Sequence, residues 1–237
     1  MGEVLGIPVF NYQYFQIGCV LLLFALFFGA AGAAESPRAS RWRKIVLGWV
    51  AWIRDEMVYP VMGAERGKKF LPFFLYVFFF ITASNLIGIF PKGMTSTSNI
   101  FVTAGLAAVT AVAVPVCGMV AQGPLVYWKN LVPHGVPAWL WPLLFLVEAI
   151  GLITRPFALT VRLFANMTAG HLVLLAFLGL LFFAGSQLGA VAWGIAPLVV
   201  GFSVFILIIE SFIALLQAYI FTLLSIVFVG AAMHPEH

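Results

Sequence analysis

Charged residues are what this sequence has least of. They make up 8% of its 237 residues, against 63% hydrophobic ones, whereas soluble domains carry about a quarter charged residues. A water-soluble fold of this length has too little interior to hide so much apolar surface, so most of the chain has lipid as its solvent. Cysteine is scarce too. Cys19 and Cys117 lie alone in different apolar runs, neither with a CxxC or Cys/His neighbourhood, which leaves packing rather than a metal or redox pair as their role. No metal or cofactor is expected. The chain also lacks any Lys or Arg before its first apolar run, although that run ends in Ala31-Gly32-Ala33-Ala34. Without that charge, and with a run longer than a signal h-region, the segment reads as a membrane span rather than a cleaved leader.

A spanning helix needs about 20 apolar residues, and the candidates fall into place by length. The expected organisation is a single all-α membrane domain, with no room for a separate catalytic one. It comprises a first span over 13–34, a basic segment over 35–68, a two-span hairpin over 69–122 and a long hairpin over 137–232. Within these, Pro91-Lys92-Gly93, Gln122-Gly123-Pro124 and Val132-Pro133-His134-Gly135-Val136-Pro137 mark the breaks. The last two tracts, 138–184 and 187–232, would each run about 69 Å as continuous helix, more than twice the hydrocarbon thickness of about 30 Å. Either each is broken into two spans, or each is one steeply tilted helix; Pro156 and the glycines at 151, 170 and 179 permit the first. No internal repeat is evident.

The basic segment holds Arg38, Arg41, Arg43, Lys44, Arg54, Arg66 and Lys68, followed at once by Lys69. With the basic charge gathered there, the net charge of +4 is no sign of nucleic-acid binding. Between Ile45 and Val61, the residues Ile45, Leu47, Val50, Ile53, Met57 and Val61 alternate with Trp49, Trp52, Arg54, Asp55 and Glu56. That pattern suits an amphipathic helix at the membrane surface, with Trp and Tyr59 at headgroup depth; a solvated loop is the alternative. The positive-inside rule puts this segment in the cytoplasm or matrix and the N-terminus outside, and five crossings then leave the C-terminus inside. Lys129 fits this sidedness and Lys92 does not.

Charges inside spanning segments are costly and are functional candidates by default. The last two tracts carry four, Glu148, Arg155, Arg162 and Glu210, with Asn166, His171 and Gln217 as uncharged polar companions. Arg162 lies too far from either tract end to snorkel readily and stays charged in practice. It needs water or a partner, whether in an ion pathway or a structural pair. Glu148, Arg155 and Arg162 are spaced by seven and share one helical stripe, with Asn166 nearly on it. Arg155 precedes Pro156, which disfavours helical geometry there and suits a structural or snorkelling role. His171, nine residues after Arg162, faces the opposite side. Glu210 and Gln217, again seven apart, share a face of the final tract. A Glu and a His that titrate near neutrality are suited to passing protons.

The run Pro156-Phe-Ala-Leu-Thr-Val-Arg162-Leu-Phe-Ala-Asn166-Met-Thr-Ala-Gly170-His171-Leu172 resembles the signature of subunit a of F-type ATP synthases. Ser84-Asn85-Leu-Ile-Gly-Ile-Phe-Pro91 and Leu216-Gln217-Ala-Tyr-Ile-Phe221-Thr-Leu-Leu224 resemble two further segments of the same subunit, in the family's order. The resemblance implies the stator half of a rotary motor, not an enzyme on its own and binding no nucleotide. It implies about five membrane helices plus one interfacial helix, the last two strongly tilted along a ring of c subunits. Implied partners are that ring, b-type peripheral stalk subunits and the remainder of the synthase, surrounded by lipid, with no nucleic acid. Two offset aqueous half-channels would carry protons to and from ring carboxylates. Arg162 would be the essential charge between them, with Gln217 close to it and Asn166 one turn on. His171 and Glu210 would line the outer half-channel, in the order of mitochondrial members rather than the reverse order of many bacterial ones, a swap that argues for mutual contact. Glu148 would belong to the inner half-channel, and no role is carried over for Arg155. A bacterial inner membrane is the expected location, with a mitochondrial or other organellar energy-coupling membrane as the alternative. An independent secondary transporter, which usually shows internal repeats, and a structural scaffold are the competing classes.

Overall fold

The computed structural model describes residues 2–4, 7–9, 11–31, 41–89, 99–132, 137, 139–188 and 192–233. Arg38, Pro91-Lys92-Gly93, the stretch Pro133 to Val136 and the terminal residues from His234 lie outside these. A small antiparallel hairpin, β1 (Gly2–Val4) and β2 (Ile7–Val9), precedes the helices and is an addition to the all-α expectation. Then come α1 (Asn11–Ala31), α2 (Arg41–Trp52), a π-turn over Ile53–Val58, α3 (Tyr59–Met62), α4 (Ala64–Ile89), α5 (Ile100–Gln122), α6 (Pro124–Lys129), α7 (Trp141–Leu188) and α8 (Ala192–Met233). Among the described residues, four helices are long and apolar enough to cross a membrane. They are α4, α5, residues 141–187 of α7 and residues 196–233 of α8, while α1 adds a shorter apolar stretch over Gln16–Ala25.

The two long tracts are each one continuous helix, of 48 and 42 residues. Pro156 lies inside α7 without ending it. Proline lacks the N–H that would pair with the Leu152 carbonyl four residues earlier, and α7 runs on past that missing bond; separately, Thr160 Oγ1 donates to the Pro156 carbonyl at 3.0 Å. Arg155, before that proline, is therefore helical as well. The two helices pack along each other, and α4 and α5 pack against the pair. Leu159, Leu163 and Met167 form the fully buried ridge of α7, spaced by four, and Ala214, Ala218 and Phe221 are buried on α8. Repetition every fourth residue lines up one face of a helix, which fixes the rotation of α7 and so decides where its polar residues point.

The segment expected at the membrane surface is helical but widens at residues 53–58 into a π-turn. Such insertions rotate the residues beyond them. Ile53, Met57, Val58 and Met62 are all buried against α4 and α8, together with Phe74, Val77, Ile81 and Phe221. Ile45 and Leu47, before the π-turn, remain exposed. Trp49 stacks on Phe78 and Trp52 packs on Tyr219, at centroid distances of 5.9 and 5.8 Å. Half of the apolar pattern thus serves the protein interior rather than lipid. Gly63 (φ 72°) turns α3 into α4 and Gly123 (φ 91°) turns α5 into α6, a backbone conformation that glycine adopts without strain. The Ser84-Asn85 motif is buried on α4: Ser84 Oγ donates to Cys19 Sγ of α1 at 3.7 Å, and Asn85 Nδ2 donates to the Ala214 carbonyl of α8 at 3.3 Å.

Candidate functional site: a polar line through the α7–α8 hairpin

With Leu163 and Met167 turned inward, Arg162 is turned outward. It is exposed, on a stripe of α7 that also presents the exposed Ala158, Ala165 and Ala169. Among the described residues, no hydrogen bond or ion pair reaches it. A guanidinium cannot shed its charge, so it stands as a fixed cation on an apolar surface.

One turn further along α7, Asn166 Nδ2 donates to Gln217 Oε1 of α8 at 3.0 Å. Gln217 is 2% exposed, and its own Nε2 is buried without an acceptor. A buried donor left unpaired costs about 1–3 kcal/mol, and the amide is held at this level of the hairpin, next to the arginine's turn, with hydrogen-bonding capacity to spare.

His171 lies nine residues beyond Arg162, about 13.5 Å along the axis. Its Nδ1 is 2.9 Å from Glu210 Oε1 of α8, with side-chain exposures of 32% for the histidine and 4% for the glutamate. One proton occupies such a contact, carried by the imidazole beside a carboxylate or by the carboxyl beside a neutral imidazole. The carboxylate sits over Gly170. A Cβ at that glycine would lie 2.6 Å from Glu210 Oε1 and 2.8 Å from its Cδ. Gly170 is therefore what makes room for the acid, a role the sequence reading did not give it.

On the other side of Arg162 the expected stripe divides. Glu148 and Arg155 pair with each other, Nη2 to Oε1 at 2.6 Å, and do not share the surroundings of Arg162. The Arg155 side chain runs back along α7 past Gly151, where a Cβ would lie 3.5 Å from Nη2, and its guanidinium lies 5.3 Å from the centre of the Phe228 ring. The pair borders a cavity of about 180 Å³ whose polar lining is completed by Gln122, Tyr127 and Asn130. Gln122 Nε2 donates to the Ala232 carbonyl at 2.7 Å and Asn130 Nδ2 to Gln122 Oε1 at 3.0 Å, which ties the ends of α5, α6 and α8 together. Burial pushes the Tyr127 phenol above its ordinary range, while the Arg155 charge pulls it down and the Glu148 charge pushes it up. These loop-side partners were not legible in the sequence; the glycine between two charges spaced by seven was the available signal.

Apolar helices of this length, packed as a hairpin with an exposed arginine between a His–Glu contact and an Arg–Glu pair, define a multi-pass membrane protein with polar groups at membrane depth. A family model described as ATP synthase A chain matches residues 14–230, and the chain belongs to that family. It is similar to the ATP synthase subunit a of Myxococcus xanthus, 43% identical over 188 residues, covering 79% of this chain and 60% of the relative. It is 46% identical over 171 residues to that of Chloroherpeton thalassium, covering 72% of this chain and 49% of the relative. It is 38% identical over 241 residues to that of Anaeromyxobacter sp. strain Fw109-5, covering 100% of this chain and 57% of the relative. The chain thus spans about half to three-fifths of the length of these relatives.

Proposed function

We propose that this chain is the stator subunit of the membrane sector of a rotary ATP synthase. In this reading it provides two offset aqueous half-channels that move protons to and from the carboxylates of a c-ring, coupling proton flow to rotation. The observation that carries it is Arg162: a permanent cation, exposed on an apolar helical face, without a counter-ion among the described residues. An arriving ring carboxylate would supply that counter-ion, and the guanidinium would hold it ionised while it passes. The same charge would repel a proton attempting to cross directly from one half-channel to the other.

The remaining residues fall on either side. His171 and Glu210 form the outer half-channel, where the single shared proton can be handed on. Glu148 and the cavity beside it belong to the inner one. Asn166 and Gln217 hold the hairpin at the level of the arginine. Helices α7 and α8 would lie strongly tilted along the ring, as five crossings in one membrane domain require: the 48 residues of α7 make about 72 Å of helix against a hydrocarbon core of about 30 Å. The N-terminus lies outside and the C-terminus on the cytoplasmic side of a bacterial inner membrane. The ring, b-type stalk subunits and the remainder of the synthase are the partners, and the nucleotide chemistry belongs to them.

Replacing Arg162 by Ala in the assembled complex tests this reading. ATP-driven proton pumping should be abolished while the c-ring and the soluble head still co-purify. Pumping at the native rate would refute it.

A further inference from the structure

Two arginines on α7, seven residues apart, have opposite electrostatic surroundings. Arg162 is exposed with no ion-pair partner among the described residues, whereas Arg155 has Glu148 at 2.6 Å. The second pair lies at the wall of the Gln122–Tyr127–Asn130 cavity, with both side chains about one-third exposed. Tyr127 of α6 and the Phe228 ring of α8 are the other groups that close around it, and neither brings a charge at neutral pH. Among the described residues that line the cavity, Glu148 is the acid that faces Arg155.

We propose that Glu148 acts by cancelling the charge of Arg155, and that it does not itself carry protons. The inference rests on the stator reading above. A cation crossing a cavity of this size passes within about 6 Å of its wall, and at an effective dielectric of 20–40 an uncompensated guanidinium there slows it on the order of tenfold to a hundredfold. Paired with Glu148, Arg155 presents a dipole in place of a net charge, and the inner route stays open to protons. Arg162 keeps its full charge and remains the barrier. Arg155 lies over Gly151 to reach back two turns, where its Nη2 meets the carboxylate at the cavity wall. A relay carboxylate would be better served by water than by a guanidinium, which opposes protonation.

The test compares Glu148→Gln, Arg155→Gln and the double variant E148Q/R155Q in the intact complex, in inverted vesicles matched for assembled complex. Initial rates of ATP-driven proton uptake are measured, together with passive proton conductance after removal of the soluble head. Charge cancellation predicts that Glu148→Gln loses tenfold or more in both readouts and that the double variant recovers to within about threefold of native. Replacing an ion pair by a neutral pair is often tolerated structurally, so the double variant decides the matter even if Glu148→Gln alone does not assemble. A double variant as impaired as Glu148→Gln, or a Glu148→Gln variant that conducts normally, overturns the inference. Arg162→Ala is run alongside: native pumping in that variant would overturn the stator reading itself, and the two failures are thereby told apart.

Discussion

Adding one methyl group at Gly170 is a small change with a calculable consequence. The new Cβ of Gly170→Ala would lie 2.6 Å from Glu210 Oε1, 2.8 Å from Cδ and 3.2 Å from Cγ, and such approaches force the carboxylate to move. Glu210 is 3% exposed, so there is little free space to move into. The contact that gives way is the 2.9 Å one to His171. Hydrogen bonds to charged groups contribute about 1.5–3 kcal/mol, and at about 1.4 kcal/mol per factor of ten the proton step through this pair should slow by about tenfold to a hundredfold. Loss of folding is not the expected cause, because Ala is favoured over Gly inside a helix by up to about 1 kcal/mol. The assay is proton-driven ATP synthesis in vesicles, with Gly179→Ala as the control, since a Cβ at Gly179 meets nothing within 4 Å. If Gly170→Ala synthesises ATP at the Gly179→Ala rate, either Glu210 has room to spare or the His171–Glu210 contact is not on the proton route.

Arg162→Lys should fail nearly as badly as Arg162→Ala in ATP-driven pumping, because a lysine at a low-dielectric surface can lose its proton and an arginine cannot. Exchanging His171 and Glu210 for one another should leave more pumping than either single change to Ala, since the exchange retains one acid and one base in contact; a double exchange as inactive as the singles would show that they do not form one relay. Asn166→Ala leaves the buried Gln217 amide with neither of its groups paired, and should lower the thermal stability of the purified protein by about 1–3 kcal/mol, checked by a melting curve in detergent. Gly118→Ala would drive a methyl into the Tyr127 ring, and overpacking of this kind costs about 1–3 kcal/mol, readable in the same curves as a lowered midpoint.

The spans were legible because their length and hydropathy are set by the bilayer itself. Where a two-span hairpin was expected over 69–122 lie α4 (Ala64–Ile89) and α5 (Ile100–Gln122). Asn99, at the start of the second, caps α5 by accepting from the Phe101 amide at 2.9 Å. The polar residues stood out for the same reason: in an apolar tract each one is an exception. Their partners were a different matter. A spacing of seven places Glu148, Arg155 and Arg162 on one stripe, yet each step also climbs about 10.5 Å along the axis, and the stripe alone does not say which neighbours close on each other. The continuity of α7 through Pro156 was not readable either, since it goes with packing against α5 and α8. Nor was the π-turn at Ile53–Val58, whose extra residue exists to seat Ile53, Met57 and Val58 against helices far along the chain. What tertiary contact decides, local pattern does not carry.

The most direct test of the account is a structure of the assembled membrane sector, read for the distance from the Arg162 guanidinium to the nearest carboxylate. The account predicts that the exposed stripe around Arg162, with Ala158, Ala165 and Ala169, is covered by the ring, and that the acid nearest Arg162 is a ring carboxylate within about 6 Å, close enough to shift its protonation. An Arg162 that faces lipid in the complex, or that pairs with an acid of its own chain, would contradict it.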